Sequence, residues 1–456
     1  MDRFALDSLK EWHRRPGRKP LILRGARQVG KSYLVRKFAR EASLDLLELN
    51  LERTPALARL FASNSPAQIV HFLEVHFERD IDPARSLLFL DEVQGAPEVL
   101  AALRYFHEEM ASLPIVAAGS LLDFALDEPA FTVPVGRIEY LHMGPMGFEE
   151  FLRAAGREKL FRFLADYTPG QDVPDVLHAQ LMEYLRQFLI VGGMPEVAAA
   201  WFEQRSLRSC EAIQQALLAA FRDDFGKYGR HVNQTRICKV FDKLPLLVGK
   251  RFRYVQVDRD ERSRDLADAL QRLCLARVAH RVHHSSSTGV PLGATADDRN
   301  FKVLFLDVGL LSSACGLDLS LLAETADLVQ VNSGAIAEQF VGQQLLGSLP
   351  SHRTPAIHFW SRESRNAQAE VDYVIEVGAR VIPVEVKAGK TGTLRSLHVF
   401  LREKHLDLGI RLNSEPPSLL PIEVSLPDQS LLRFRLLSLP LYLAGQVRRL
   451  AAALLS

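Results

Sequence analysis

Apolar positions along the chain change period several times, and each change predicts a different kind of element. Pro20 to Arg24 (PLILR) is a short apolar run of strand type, and YLVRKFAREA after it has helical spacing. Leu87 to Leu90 (LLFL) and Leu113 to Ala118 (LPIVAA) are unbroken apolar runs, which suits parallel strands buried on both faces. Ile138 to Met143 is a further strand candidate. From 147 to 225 the three- and four-residue helical step dominates, as in HAQLMEYLRQFLIVGG, and Gly192-Gly193-Met194-Pro195-Glu196 stops one such helix. The stretches CKVFDKLPLLVGK and SRDLADALQRLCLARV are helix-like, and RVAHRVHHSSSTGVPLGA with FKVLFLDVGLL reads as paired strands around a polar loop. Helices followed by such a hairpin predict a winged helix. In the last third, NSGAIAEQFVGQQLL has helical spacing with Asn332 or Ser333 as N-cap, and AEVDYVIEV and ARVIPVEVKAG alternate as two strands joined around Gly378. Residues 414–430 are rich in loop formers, and the closing LPLYLAGQVRRLAAALL reads as a helix packing back on the last domain.

Composition adds bounds. A chain of 456 residues suggests about three domains at roughly 150 residues each. The charge is nearly balanced, 56 Lys+Arg against 55 Asp+Glu, and 47% of residues are hydrophobic, which excludes a disordered or fibrous chain. The balance also removes the simplest argument for a nucleic-acid binder, but it hides a basic stretch: residues 221–264 hold 12 Lys+Arg against 6 Asp+Glu, a surplus of +6. Cys210, Cys238, Cys274 and Cys315 are far apart and form no CxxC pair, so neither disulfides nor zinc are expected. No signal-peptide-like stretch opens the chain and no long uncharged apolar run follows, which reads as a cytoplasmic protein without a membrane partner.

The most specific motif is GARQVGKS, Gly25, Ala26, Arg27, Gln28, Val29, Gly30, Lys31 and Ser32, set between a strand and a helix. In such a loop the backbone N–H groups wrap phosphates, Lys31 reaches the β and γ phosphates, and Ser32 holds Mg²⁺. By residue frequencies the pattern arises by chance in about one chain of this length in fifty. Asp91 and Glu92 follow LLFL at the expected C-terminal end of a buried strand. Asp91 would hold Mg²⁺ through water and Glu92 would act as general base on the attacking water, although an apolar run ending in two acids also reads as a strand followed by a helix cap. Ser120 is placed to touch the γ phosphate, or else to cap a helix. Arg137 would stabilise transition-state charge in cis or from a neighbouring subunit, which would require a homo-oligomer; a surface arginine is the competing account. No Asn-Lys-x-Asp segment is present to read guanine, so ATP is the expected nucleotide.

In the last third, period two puts Glu385 and Lys387 on one strand face, with Asp372 beside Glu385 across the hairpin and Glu338 on the preceding helix. Asp372 and Glu385 would be oxygen ligands for Mg²⁺ or Mn²⁺, with support from Glu338, and Lys387 would position water or steady developing charge. The plainer reading is a half-exposed strand with a salt bridge. His283 and His284 are adjacent, point apart on a strand, and make no metal site.

GARQVGKS, LLFLDE, AAGS and VGRIEY...GPMGFEEF together resemble the prokaryotic AAA-type ATPases that carry a C-terminal domain of formerly unknown function. The resemblance implies that the acid-pair strand neighbours the loop strand and that a helical lid follows. In that family the GG-x-P-E segment lies in the lid, FRDDFGKYG joins lid to next domain, and the chain ends in a domain similar to the PD-(D/E)XK nuclease fold. The expected architecture is α/β throughout: a P-loop AAA-type core over 1–146, a helical lid over 147–229, a winged-helix-like domain over 230–325 and a nuclease-like domain over 326–456. The expected function is ATP binding and hydrolysis coupled to action on nucleic acid, DNA before RNA. The alternative is a switch that binds nucleic acid or a protein partner without cutting, and a small-molecule kinase is disfavoured by the two further domains.

Overall fold

The computed structural model describes residues 1–119, 122, 124, 136–227, 233–316, 333–364, 367–387, 394–426 and 430–455. Helix α1 (Ala5–Arg14) presents Leu6, Leu9 and Trp12 at three-residue steps to the core it shares with α2 (Lys31–Glu41). Strands β1 (Leu21–Arg24), β2 (Asp45–Asn50), β3 (Ser86–Asp91), β4 (Ile115–Ala118) and β5 (Glu139–His142) form a parallel sheet in the order β2-β3-β4-β1-β5. The unbroken run on β3 has its reason here. Leu87 and Phe89 face the core of α1 and α2, while Leu88 and Leu90 face a second core with α3 (Pro66–Phe77) and α4 (Pro97–Glu109). One expectation is corrected: the acid-pair strand β3 does not neighbour β1, because β4 lies between them.

The lid comprises α5 (Phe148–Ala154), α6 (Glu158–Asp166), α7 (Asp175–Val191), α8 (Pro195–Gln204) and α9 (Leu207–Asp224), followed by α10 (Gln234–Leu247) and α11 (Ser263–Leu275). The hairpin of β6 (Ala279–Ser285) and β7 (Ala296–Phe305) is not a free wing. Val282 of β6 pairs with Ile357 in parallel, so the hairpin forms the edge of an eight-stranded sheet. Between hairpin and sheet lie α12 (Val308–Ala314) and α13 (Ser333–Gly347). The sheet continues with β8 (Ile357–Ser364), β9 (Ala367–Val377) and β10 (Arg380–Val386), then α14 (Arg395–Glu403), β11 (Leu408–Asn413), β12 (Ser418–Ser425) and β13 (Leu431–Pro440), before α15 (Val447–Leu455) closes the described chain. Its order is β12-β13-β11-β10-β9-β8-β6-β7. The stretch read as loop thus holds β12, an edge strand, where Pro421 removes no interior ladder bond.

Helix α13 is central and buried on all sides, and its polar side chains bind the elements around it. Gln339 exchanges two hydrogen bonds with the Phe305 backbone at the end of β7, and Gln344 Oε1 accepts from the Phe148 N–H of the lid. Asp307, fully buried, N-caps α12 by accepting from Gly309 and Leu310, and also accepts from Gly193 N–H at 2.7 Å and Gln343 Nε2 at 3.0 Å. Gly192 and Gly193 are required by this close approach: a Cβ on Gly192 would overlap the Asp307 carboxylate, and one on Gly193 would overlap the Met146 carbonyl. The helix stop read from the sequence is therefore also a joint. Asp307→Ala would leave these donors without an acceptor in a dry site. The expected loss is about 3 kcal/mol, read as an earlier urea midpoint, with Asp307→Asn losing less because it keeps one carbonyl acceptor.

Candidate functional site

The phosphate loop follows β1 directly, and four segments hold it. A Cβ on Gly25 would overlap the Met143 carbonyl, so the loop can start its turn only with glycine there. Gln28 and Gly30 take positive φ, at 63° and 94°. Arg3, buried, donates to the Val29 carbonyl at 2.8 Å and to the Gly144 carbonyl at 2.6 Å, while Glu150 balances its charge. Arg27 pairs with the buried Asp224 at the end of α9, and a Cβ on Gly30 would stand 3.7 Å from the Pro195 ring. The FRDDFGKYG and GG-x-P-E segments thus both reach the loop. Arg3 carries no motif signal in the sequence and Asp224 lies within FRDDFGKYG; only the tertiary structure shows what they touch.

Lys31 donates to the loop's own Gly25 and Ala26 carbonyls at 2.9 and 2.8 Å. Ser32 Oγ donates to Asp91 Oδ2 at 2.9 Å, so the loop and the end of β3 meet even with β4 interposed between their strands. Burial pushes the Asp91 carboxyl above its ordinary value, and the Ser32 hydrogen bond only partly opposes this. Glu92 takes a left-handed backbone, φ 56°, and its carboxylate accepts from Gln94 Nε2 at 2.8 Å. Ser120 lies outside the described residues. Arg137 is not brought to the site of its own chain. Arg24 pairs with His142 in parallel register, so the loop lies beyond the C-terminal end of β5, whereas Arg137 precedes its N-terminal end, about 15 Å away at the strand rise. There it pairs with Glu108 of α4 at 2.8 Å.

In the last domain Glu385 and Lys387 share a face as expected, 2.6 Å apart, and Asp372 lies beside them, accepting from Val386 N–H. Glu338 faces the same cluster, with Asp372 and Lys387 within electrostatic reach, but its ion pair is with another cation. Its carboxylate meets Lys302 of β7 at 2.9 Å, and the same ammonium lies 2.6 Å from Glu370 and 3.7 Å from Asp372. Arg251 holds the other oxygen of Glu370 at 3.0 Å, and Gly249 approaches Glu338 so closely that a Cβ would stand 3.0 Å from Oε2. Among the described residues no three His, Cys, Asp or Glu side chains are grouped as a ready-made metal site. Lys302 and Arg251 went unnoticed because the acids they meet lie 36 and 119 residues further on. Burial pushes Glu338 up to about 7 against the pull of Lys302, and pushes Glu385 up to about 7 with help from the charge of Asp372. Burial alone would lower the Lys302 ammonium, but Glu338, Asp372 and Glu370 outweigh it and hold the lysine charged.

Four of the basic residues of the 221–264 stretch make ion pairs. Arg222 pairs with Asp242, Arg236 with Glu261 and Asp265, Lys239 with Asp258 and Glu261, and Arg251 with Glu370. Of these acids only Asp265 and Glu370 lie outside the stretch, so they offset its surplus of +6 only in part. No helix among the described residues is long and apolar enough to cross a membrane.

Residues 17–152 match a family model described as an AAA domain, so the chain carries an AAA-type ATPase domain. Residues 182–321 and 333–416 match two models described as domains of unknown function, DUF8612 and DUF4143. No curated protein matches the chain. Similar solved structures include Orc1 of Aeropyrum pernix in complex with DNA, 12% identical, covering 70% of this chain and 91% of that one with a TM-score of 0.28. AMPPCP-bound DnaA from Aquifex aeolicus is 14% identical, with coverage of 59% and 86% and a TM-score of 0.24. PCH-2 of C. elegans is 12% identical, with coverage of 47% and 66% and a TM-score of 0.27. At these scores nothing passes from those proteins to this one.

Arg3→Ala unties Val29 and Gly144 together. A fluorescent ATP analogue is expected to bind about tenfold more weakly, the equivalent of one partly lost charge-assisted hydrogen bond. Unchanged affinity would show that the loop keeps its shape without Arg3.

Proposed function

We propose that this protein is an ATP-hydrolysing switch whose nucleotide state passes through the lid to a nuclease-like C-terminal domain that engages nucleic acid, DNA before RNA, without cutting it. The observation that carries the first half is the 2.9 Å contact of Ser32 with Asp91 at the mouth of the phosphate loop. Two oxygens in that relation fit Mg²⁺, with Ser32 direct and Asp91 through water; the ion would neutralise charge on the phosphate oxygens. Lys31 would exchange the Gly25 and Ala26 carbonyls for the β and γ phosphates, and the loop N–H groups would take the remaining oxygens. Glu92 would turn from Gln94 to accept the proton of the attacking water.

Transmission is supported by the nearness of Pro195 to Gly30, where a Cβ would stand 3.7 Å from the proline ring, and by the bond from Gly193, two residues before Pro195 on the same lid corner, to Asp307. A phosphate that reshapes the loop at Gly30 would press on that corner and, through Asp307, on β7 and α13. The placement of Asp372, Glu385 and Lys387 supports the nuclease-like reading of the last domain. A cleaving version is favoured by one observation, the buried Glu385 Oε2, which has no hydrogen-bond partner among the described residues. The lysine among the acids favours the non-cleaving one.

Glu92→Gln should keep nucleotide binding and lower ATP turnover by about 10²–10⁴-fold; equal turnover would remove Glu92 from the chemistry. ATPase rates of wild type and Lys31→Ala, with and without double- and single-stranded DNA and RNA, test the rest. Stimulation of the wild type by one polymer and silence of Lys31→Ala are expected. Rates indifferent to every polymer would sink the nucleic-acid half, and nicking of either polymer with Mg²⁺ or Mn²⁺, lost in Glu385→Gln, would establish the cleaving version.

A further inference from the structure

Lys302 is 1% exposed, on the edge strand β7, and its ammonium is enclosed by carboxylates from two other elements: Glu338 of α13, and Glu370 and Asp372 of β9. A second cation, Arg251, completes Glu370, and an isolated bridge joins Arg251 to Lys302 along the backbone. Together with Gly249 against Glu338, the 249–251 segment roofs the centre. Counting Lys387 on Glu385, four carboxyl groups face three fixed cations. A divalent ion is held where several ionised carboxylate oxygens converge and are otherwise unclaimed. Here Glu338 Oε1 and both Glu370 oxygens are taken by nitrogen cations, and Asp372 Oδ2 by the Val386 N–H.

We infer that Lys302 is a built-in cation standing where a nuclease-like centre would hold a divalent metal, so that the C-terminal acidic centre of this protein binds no divalent ion. The ammonium supplies one positive charge and three N–H donors at a point where the acids would otherwise repel one another. It differs from a metal in what it can do: it joins Glu338, Glu370 and Asp372 into one structural unit, and it has no open coordination position at which to present water to a phosphodiester. Lys302 also precedes Asp307 by five residues on the same strand and its continuation, so the filled centre is attached directly to the joint with the lid.

The inference rests on the nuclease-like reading of the domain, and direct counting of Mn²⁺ separates the two. Bound Mn²⁺ is measured by electron paramagnetic resonance on nucleotide-free full-length protein, in an Asp91→Asn background that removes the phosphate-loop contribution. No bound Mn²⁺ is expected up to about 1 mM, the weak end of protein carboxylate sites. Lys302→Met in that background, shown to be folded by its thermal transition, should gain one Mn²⁺ per chain, and Asp372→Asn should remove it again. A Mn²⁺ bound by Asp91→Asn itself and lost with Asp372→Asn overturns the inference without any Lys302 variant. So does a folded Lys302→Met protein that gains none. Failure of the nuclease-like reading appears elsewhere, as an ATPase rate indifferent to every polymer, and leaves these Mn²⁺ counts as they are.

Discussion

The carboxylate of Asp307 sets how the parts of this chain sit on one another. It lies in a dry interior and collects donors from the lid corner at Gly193, from the start of α12 and from Gln343 of α13. Burial pushes this carboxyl above its ordinary value while its four donors pull the other way, and leaving such buried donors without an acceptor is costly. The glycines at 192 and 193 follow from this, since the lid backbone must come within hydrogen-bonding distance of an aspartate and of Met146 at once. The lid cannot turn as a free body. Any movement of its corner is a movement of the end of β7 and of the central helix.

The same corner explains why the phosphate loop belongs to the whole chain rather than to the first sheet alone. Pro195, whose ring would lie 3.7 Å from a Cβ on Gly30, follows Gly193 by two residues, and Asp224 at the end of the lid pairs with Arg27. From the other side, Arg3 fixes the Val29 carbonyl and the turn after β5. A loop gripped in this way reports what it binds. The Lys31 ammonium adds to this by donating to the loop's own Gly25 and Ala26 carbonyls.

At the far end of β7 the balance of charge decides the character of the last domain. Burying carboxylates together is unfavourable unless cations accompany them, and a protein can supply those cations as metal or as side chains. This chain supplies Lys302 and Arg251, both from segments that precede the sheet's other strands, so the centre is complete only when hairpin, helix and β9 have come together. Lys387 and Glu385, two residues apart, satisfy each other locally.

Several features were legible in the sequence because their cause is local. The unbroken apolar run of β3 reflects burial on two faces, GARQVGKS has the spacing its turn demands, and the alternation around Gly378 puts Glu385 and Lys387 on one side of a strand. What was not legible depends on pairing over long distances. The insertion of β4 between β1 and β3, the docking of the hairpin onto β8, the position of Arg137 behind the sheet and the reach of Arg3 and Asp224 to the loop are all set by which surfaces bury against which. A count of basic residues likewise could not tell which of them would meet acids folded in from elsewhere. The sequence by itself determined the nucleotide motif and the face of each acid. Only the tertiary structure decided that a lysine from another strand would stand among those acids, because periodicity fixes where a side chain points and strand order alone decides what it finds there.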